Sequence, residues 1–217
     1  MVSLFAADCS PLFDRKALED TTWWLDDSRR RRVQRLQIPE KQAQCATAGL
    51  LLTHLCGKDG TPPPLFHGSR GKPYLSGRDD LFFSLSHTGR WVFCALSDEE
   101  IGMDAQAVSS PNPAIAHRHF TAPEQAWLEG QGDKDIAFTQ LWCMKEAYLK
   151  YTGFGIVLPM SSFSVPVPPA DGWDAPNRCG WGLGTHEGIP LALCGTGVAA
   201  ASPVTVLTIE ELKRLPD

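Results

Sequence analysis

The chain has 217 residues, 43% hydrophobic and 21% charged, with a formal net charge of −5, enough for one large domain or two small ones around a packed core. The acidic balance argues against nucleic acid as the main partner, because proteins that bind the phosphate backbone carry a basic face. No stretch approaches 18 apolar residues, and the first residues lack a basic run followed by an apolar one. Neither a membrane span nor export is expected, and a cytoplasmic location is.

After an apolar start at residues 2–7, four consecutive arginines, Arg29, Arg30, Arg31 and Arg32, stand with Arg35 close behind. Alone they read as the polar face of a short helix; in an acidic chain they are also a place to hold a phosphate or an acidic partner. Residues 39–56 predict a helix, with Pro39 at its first position, apolar Ala43, Ala46, Leu50 and Leu51, and Gly57 where it would stop. The run Thr61-Pro62-Pro63-Pro64 opens an irregular stretch that ends near Gly71-Lys72-Pro73-Tyr74.

Three β-rich runs follow at 81–86, 91–96 and 100–105, with short connections that predict an antiparallel meander. Its second strand reverses direction, so the ends of the first and third share a rim, and Ser86, His87 and Asp104 become neighbours. Gly102, just before Asp104, allows a close backbone or ligand approach. Gln106 shares the face of Asp104 and offers a neutral oxygen. Seven cysteines form no C-x-x-C pair and mostly lie in apolar runs, as reduced core residues do.

Residues 109–113 read as a linker. Beyond it come a helix near Pro123, Trp127 and Leu128, a second over 135–151 closed by Gly153, and short strands at 162–167, 182–185, 191–194 and 204–209. The stretch 168–180 predicts an exposed loop. Helix followed by a small antiparallel sheet occurs twice, which predicts an α+β fold of two similar halves, 1–107 and 108–217.

Trp142-Cys143-Met144-Lys145-Glu146-Ala147-Tyr148-Leu149-Lys150 sets a carboxylate and two lysines on the second helix. Glu146 and Lys150, four apart, would alone read as a surface ion pair, and Asp104 alone as a turn former. Two acids from distant segments with lysines beside them suit a hard divalent cation that bridges to phosphate oxygens. The chain has no P-loop, no G-x-G-x-x-G and no zinc spacing.

The joint order of arginine cluster, Gly-Lys-Pro-Tyr, Phe83-Ser84-Leu85-Ser86-His87-Thr88-Gly89-Arg90-Trp91, Ile101-Gly102-x-Asp104 and Trp142-x-x-Lys145-Glu146-Ala147-x-x-Lys150 resembles the 4′-phosphopantetheinyl transferases of the surfactin-synthetase-activating type. The resemblance implies a pseudo-dimer of two subdomains, each a small antiparallel sheet packed with helices, with a ligand cleft between them. It implies transfer of the phosphopantetheine arm of coenzyme A to a serine of an apo acyl or peptidyl carrier protein, with Mg²⁺ as cofactor and adenosine 3′,5′-bisphosphate released.

It further implies that Asp104, Gln106 and Glu146 hold the metal, Gln106 standing where many members carry Glu. Glu146 and Lys150 would be catalytic, and Arg30, Lys72, Ser86, His87 and Lys150 would meet the phosphates of coenzyme A. Glu124 matches an acidic position whose role stays open. Relatives often carry arginines in the helix that here reads Gln42-Ala43-Gln44-Cys45-Ala46, which shifts the 3′-phosphate toward the arginine run. A monomer is expected, as is an apolar patch with basic residues nearby to receive the acidic helix of the carrier. A catalytically weakened protein that binds coenzyme A or a carrier, and a metal-dependent phosphohydrolase, are the alternatives.

Overall fold

The fold is α+β in a computed structural model that describes residues 1–110 and 112–214. Strand β1 (Val2–Asp8) is followed by helices α1 (Arg15–Thr21), α2 (Asp27–Arg35) and α3 (Pro39–Cys56). The arginine run thus forms a helix, whose N-cap Asp26 accepts from the Arg29 backbone N–H. Helix α3 has the predicted bounds, and its N-terminal half also buries polar Gln44 and Thr47 beside Ala43 and Ala46. In the irregular stretch, β2 (Leu65–His67) and β3 (Pro73–Leu75) make a two-stranded ribbon.

Strands β4 (Phe82–Thr88) and β5 (Trp91–Ser97) form a hairpin whose turn is Gly89-Arg90, so Ser86 and His87 lie in the strand and not in the turn. The predicted meander ends there. Strand β6 (Ile101–Ala105) leaves this sheet and pairs antiparallel with β9 (Ile189–Gly195) in a second one. Its other edge is still satisfied by β4, through side chains instead of a ladder. Met103 N–H donates to Ser84 Oγ (2.9 Å), Ala105 N–H to Ser86 Oγ (3.2 Å) and Ala107 N–H to Thr88 Oγ1 (2.9 Å). Alternate hydroxyls on one face of β4 replace carbonyl acceptors and keep β6 alongside it.

Past α4 (Pro113–His119) and α5 (Ala122–Glu129), helix α6 (Lys134–Thr152) ends at Gly153 in the left-handed conformation, φ 68°. The predicted linker includes Pro111, which lies outside the described residues. No strand forms at 162–167; the exposed-loop segment instead contributes β7 (Gly172–Asp174), paired with β8 (Cys179–His186). Strand β10 (Val204–Leu207) returns to the first sheet, parallel to β1, and α7 (Ile209–Leu212) enters the core beside α3. Strand β6, which precedes residue 107, thus lies in the second sheet, and the C-terminal strand and helix pack with the first.

Three apolar clusters stack in layers. Leu50, Leu51, Val92 and Cys94 join α3 to the outer face of the first sheet. Leu4, Phe93, Met103 and Leu193 join the two sheets, and Leu141, Met144, Ala147 and Trp181 join α6 to the second. Each fully buried Leu contributes roughly 1.5–3 kcal/mol. None of the seven cysteines is in a disulfide. No helix among the described residues is long and apolar enough to cross a membrane.

Candidate active site

Odd residues of β6 face the first sheet, leaving Gly102 and Asp104 on the side of α6. A Cβ on Gly102 would lie 2.0 Å from Ala147 O and 2.3 Å from Tyr151 N, so strand and helix meet backbone to backbone there. This approach draws the buried Asp104 up to the last turns of α6. Lys150 Nζ donates to Asp104 Oδ1 (2.7 Å), Met103 O (2.9 Å) and Leu85 O (3.1 Å). Ser86 Oγ donates to the same Asp104 oxygen at 2.7 Å. Asp104, Ser86 and Lys150, from three elements, form one cluster. Gly102→Ala should push strand from helix, cost about 1–3 kcal/mol of stability and separate Asp104 from Lys150; urea unfolding measures the first effect, and wild-type stability would refute the close contact.

Glu146 lies one helical turn before Lys150. Burial raises its carboxyl above the usual range, Asp104 raises it further, and Lys150 opposes both. Two repelling carboxylates of this kind, with the amide oxygen of Gln106 two residues from Asp104, are a donor set that fits a hard divalent cation. Among the described residues, no group of three or more His, Cys, Asp and Glu side chains stands together as a metal site.

The remaining predicted residues are placed differently. Lys72 is inside the molecule: it pairs with Glu100 and donates to Ile101 O (3.0 Å) and Tyr151 O (3.1 Å), fastening β3 to β6 and α6. Burial lowers its affinity for a proton, and Glu100 partly offsets this. Its ammonium is engaged by these carbonyls and Glu100, and the residue also lines the cavity of about 300 Å³ described below. Arg30 is likewise turned inward, donating to Thr22 O (3.1 Å) and Leu25 O (3.1 Å), pairing with Asp27 and covering the Trp23 ring.

Its neighbours Arg29 and Arg32 instead line a cavity of about 440 Å³ with Ser28, His67, Pro73 and Leu85. Pro73 and Leu85 also wall a second cavity of about 300 Å³, lined by Phe83, Leu149, Lys150 and Gly153. His87 shares the face of β4 with Leu85 and Phe83. The Ser86 hydroxyl donates to Asp104 Oδ1 and accepts from the Ala105 N–H, which positions that carboxylate.

Lys145, read with Glu146 as part of one charged motif, points away from it. It is fully buried, paired with Glu124 at 2.9 Å, and donates to Met160 O and Phe163 O at 2.7 Å each. Glu124 accepts from the Thr121 N–H (2.7 Å) and the Val165 N–H (2.8 Å). The role left open for Glu124 is thus a helix cap and one half of a buried clamp. The signal for it in the sequence was Thr121-x-x-Glu124, a capping box.

Residues 100–183, which hold β6, the clamp and α6, match the 4′-phosphopantetheinyl transferase superfamily. The chain is 31% identical over 196 residues to the 4′-phosphopantetheinyl transferase HetI of Nostoc sp., covering 85% of this chain and 81% of the relative. It belongs to the 4′-phosphopantetheinyl transferase family. It is also 34% identical over 154 residues to Sfp of Bacillus subtilis (65% and 67% covered). With psf-1 of Bacillus pumilus it shares 29% over 232 residues, 97% of each chain. Another transferase of Bacillus subtilis aligns over 97 residues only, 43% of its length. In the terms of this family, the cluster at the β6 and α6 junction is the candidate catalytic centre.

Proposed function

We propose that this protein transfers the 4′-phosphopantetheine arm of coenzyme A to a serine of an apo acyl or peptidyl carrier protein, in an Mg²⁺-dependent reaction that releases adenosine 3′,5′-bisphosphate. The observation that carries the reading is the convergence of Asp104, Glu146 and Lys150 beside two cavities with common walls, one of them lined by arginines. The two helix-on-sheet layers are read as a pseudo-dimer with the ligand between its halves.

Asp104, Glu146 and the Gln106 amide would hold the cation. Bound there, it would withdraw charge from the pyrophosphate oxygens. Lys150 donates to an oxygen of the phosphate under attack, adding fixed positive charge where negative charge develops. Glu146, whose proton affinity burial and the Asp104 charge raise, takes the proton of the carrier serine. The serine oxygen forms the new bond to the phosphorus that bears the pantetheine, and the bond from that phosphorus to the adenosine phosphate breaks. Arg29 and Arg32, in place of Arg30, serve the nucleotide end. The cavity beside Leu149 and Gly153 is sized for the pantetheine arm.

For the carrier, a shallow pocket of about 200 Å³ lined by Gln106, Ile115, Phe138 and Trp142 opens next to the acidic pair. Val108, Ile115 and Ile136 are exposed around it, and α4 ends in His117, Arg118 and His119. An apolar patch with cations at its edge suits the acidic helix of a carrier.

Chromatographic detection of adenosine 3′,5′-bisphosphate tests this reading: release that requires both carrier and Mg²⁺ supports it, whereas release without a carrier would indicate a hydrolase. Gln106→Glu adds a charge to the donor set and should lower the Mg²⁺ concentration for half-maximal rate by about tenfold. An unchanged Mg²⁺ titration would remove Gln106 from the ligands.

A further inference from the structure

We propose that Gln106 is a recognition residue for the carrier protein, its amide N–H groups donating to the carrier segment that bears the acceptor serine; the proposal rests on the transferase reading above and extends it to the second substrate. Gln106 follows β6 directly, two residues beyond Asp104 on the same face. Its backbone is fixed from three sides. The Gln106 N–H donates to Pro190 O of β9 (3.1 Å), and the Cys143 thiol of α6 donates to the same carbonyl (3.5 Å). Ala107 N–H donates to Thr88 Oγ1 of β4 (2.9 Å), and Ser109 N–H to Thr139 Oγ1 of α6 (3.4 Å). Two strands and a helix thus set the Cα position, and only the side chain is free to turn.

That side chain is half-buried and lines the pocket of about 200 Å³ with Ser109, Ile115, Phe138, Thr139 and Trp142. The Thr139 hydroxyl is engaged within the protein, donating to Asp135 O (2.8 Å) and accepting from Ser109. Among the described residues, the Gln106 amide has no side-chain hydrogen bond. It brings unused hydrogen-bonding capacity to a pocket walled mainly by Ile115, Phe138 and Trp142.

An amide carries one acceptor oxygen and two donor hydrogens. The oxygen suits the cation beside Asp104 and Glu146, and the donors remain for a second partner. The serine must come within hydrogen-bond reach of Glu146 to lose its proton, which brings its flanking residues over the pocket wall that Gln106 forms. Oxygen acceptors on that segment, backbone carbonyl or acidic side chain, pair with N–H donors and are repelled by a carboxylate. Val108 and Ile115, exposed beside the pocket, shield such a bond from water once the carrier covers them. A neutral amide at this position therefore favours the carrier over the metal, and a carboxylate would trade the first for the second.

The test is isothermal titration of wild type and Gln106→Glu, each loaded with coenzyme A and Mg²⁺, with an apo carrier protein that wild type modifies, its acceptor serine changed to alanine so that no transfer occurs. The expected result is about tenfold weaker carrier binding by the variant, with coenzyme A bound no more weakly and the melting temperature unchanged. In turnover with the unaltered carrier, the variant should raise the carrier KM by a similar factor without raising the KM for coenzyme A. Gln106→Met, which removes the donors and adds no charge, should lose less carrier affinity than Gln106→Glu. Carrier binding by Gln106→Glu as tight as wild type would overturn the assignment, as would equal losses toward carrier and coenzyme A. If wild type modifies no carrier in a panel, the transferase reading fails and this proposal with it, an outcome distinct from a wild type that modifies a carrier which Gln106→Glu binds equally well.

Discussion

Asp104→Asn should lower the rate of carrier modification by about 10²–10³-fold while the protein stays folded. The carboxylate receives Lys150 and Ser86 on one oxygen and faces Glu146 with its charge. Removing that charge takes away half of the acidic donor set and frees the Lys150 ammonium from its anchor. Glu146→Gln should reduce transfer by a similar factor, yet act oppositely on stability. Glu146 is buried next to a like charge and pays for its ionisation in the metal-free protein. The sign follows from the raised proton affinity: stability is favoured below the ordinary carboxylate range and is lost as pH rises through the folded-state value. At neutral pH without Mg²⁺, Glu146→Gln should therefore raise the melting temperature by about 2–4 °C. A variant of either acid with near wild-type turnover would refute the assignment of the site, and a lowered melting temperature for Glu146→Gln would refute the electrostatic account.

The largest effect on stability is expected at the buried clamp. Lys145→Met leaves the Glu124 carboxylate at zero exposure with two backbone donors and no counter-charge, and frees the carbonyls of Met160 and Phe163. Breaking a buried pair from one side costs about 3–5 kcal/mol, which for a chain of this size shifts the melting temperature by roughly 6–20 °C. The double variant Lys145→Met, Glu124→Gln should lose less than the sum of the single losses, because no lone charge remains. Urea unfolding of the three variants measures this, and a loss below about 1 kcal/mol for Lys145→Met would show that the pair is not a clamp. Since the clamp ties residues 160–165 to the turn of α6 that carries Glu146, the same variants should also transfer more slowly.

Local signals told much of this in advance. Pro39 and Gly57 bounded α3, Gly153 ended α6, and Gly102 announced a close approach that proved to be backbone against backbone. The neighbourhood of Ser86 and Asp104 was foreseen, but through a meander that does not exist. A short polar connection such as Ser97-Asp98-Glu99-Glu100 looks the same whether the next strand pairs with its predecessor or crosses to another sheet. The alternation Ser84-x-Ser86-x-Thr88 was the sign that β4 offers hydroxyls, not a ladder, to β6.

The cations were hardest to place, because a Lys or Arg in a sequence does not reveal which carbonyls await it. Tyr151 O, in the last turn of α6, is an orphan acceptor by the geometry of any helix end, and Lys72 fills it. Arg30 is drawn in by the carbonyls of Thr22 and Leu25, while Arg29 and Arg32, on either side, face a cavity.

The intact mass of an apo carrier protein after incubation with this protein and coenzyme A, with and without Mg²⁺, tests the central claim most directly, and a panel of fatty-acid, polyketide and peptide-synthesis carriers also reports the partner. A gain of one phosphopantetheine arm on the carrier serine is expected only when Mg²⁺ is present, and is lost with Asp104→Asn. Unmodified carriers across the panel, with coenzyme A still bound by the protein, would contradict it.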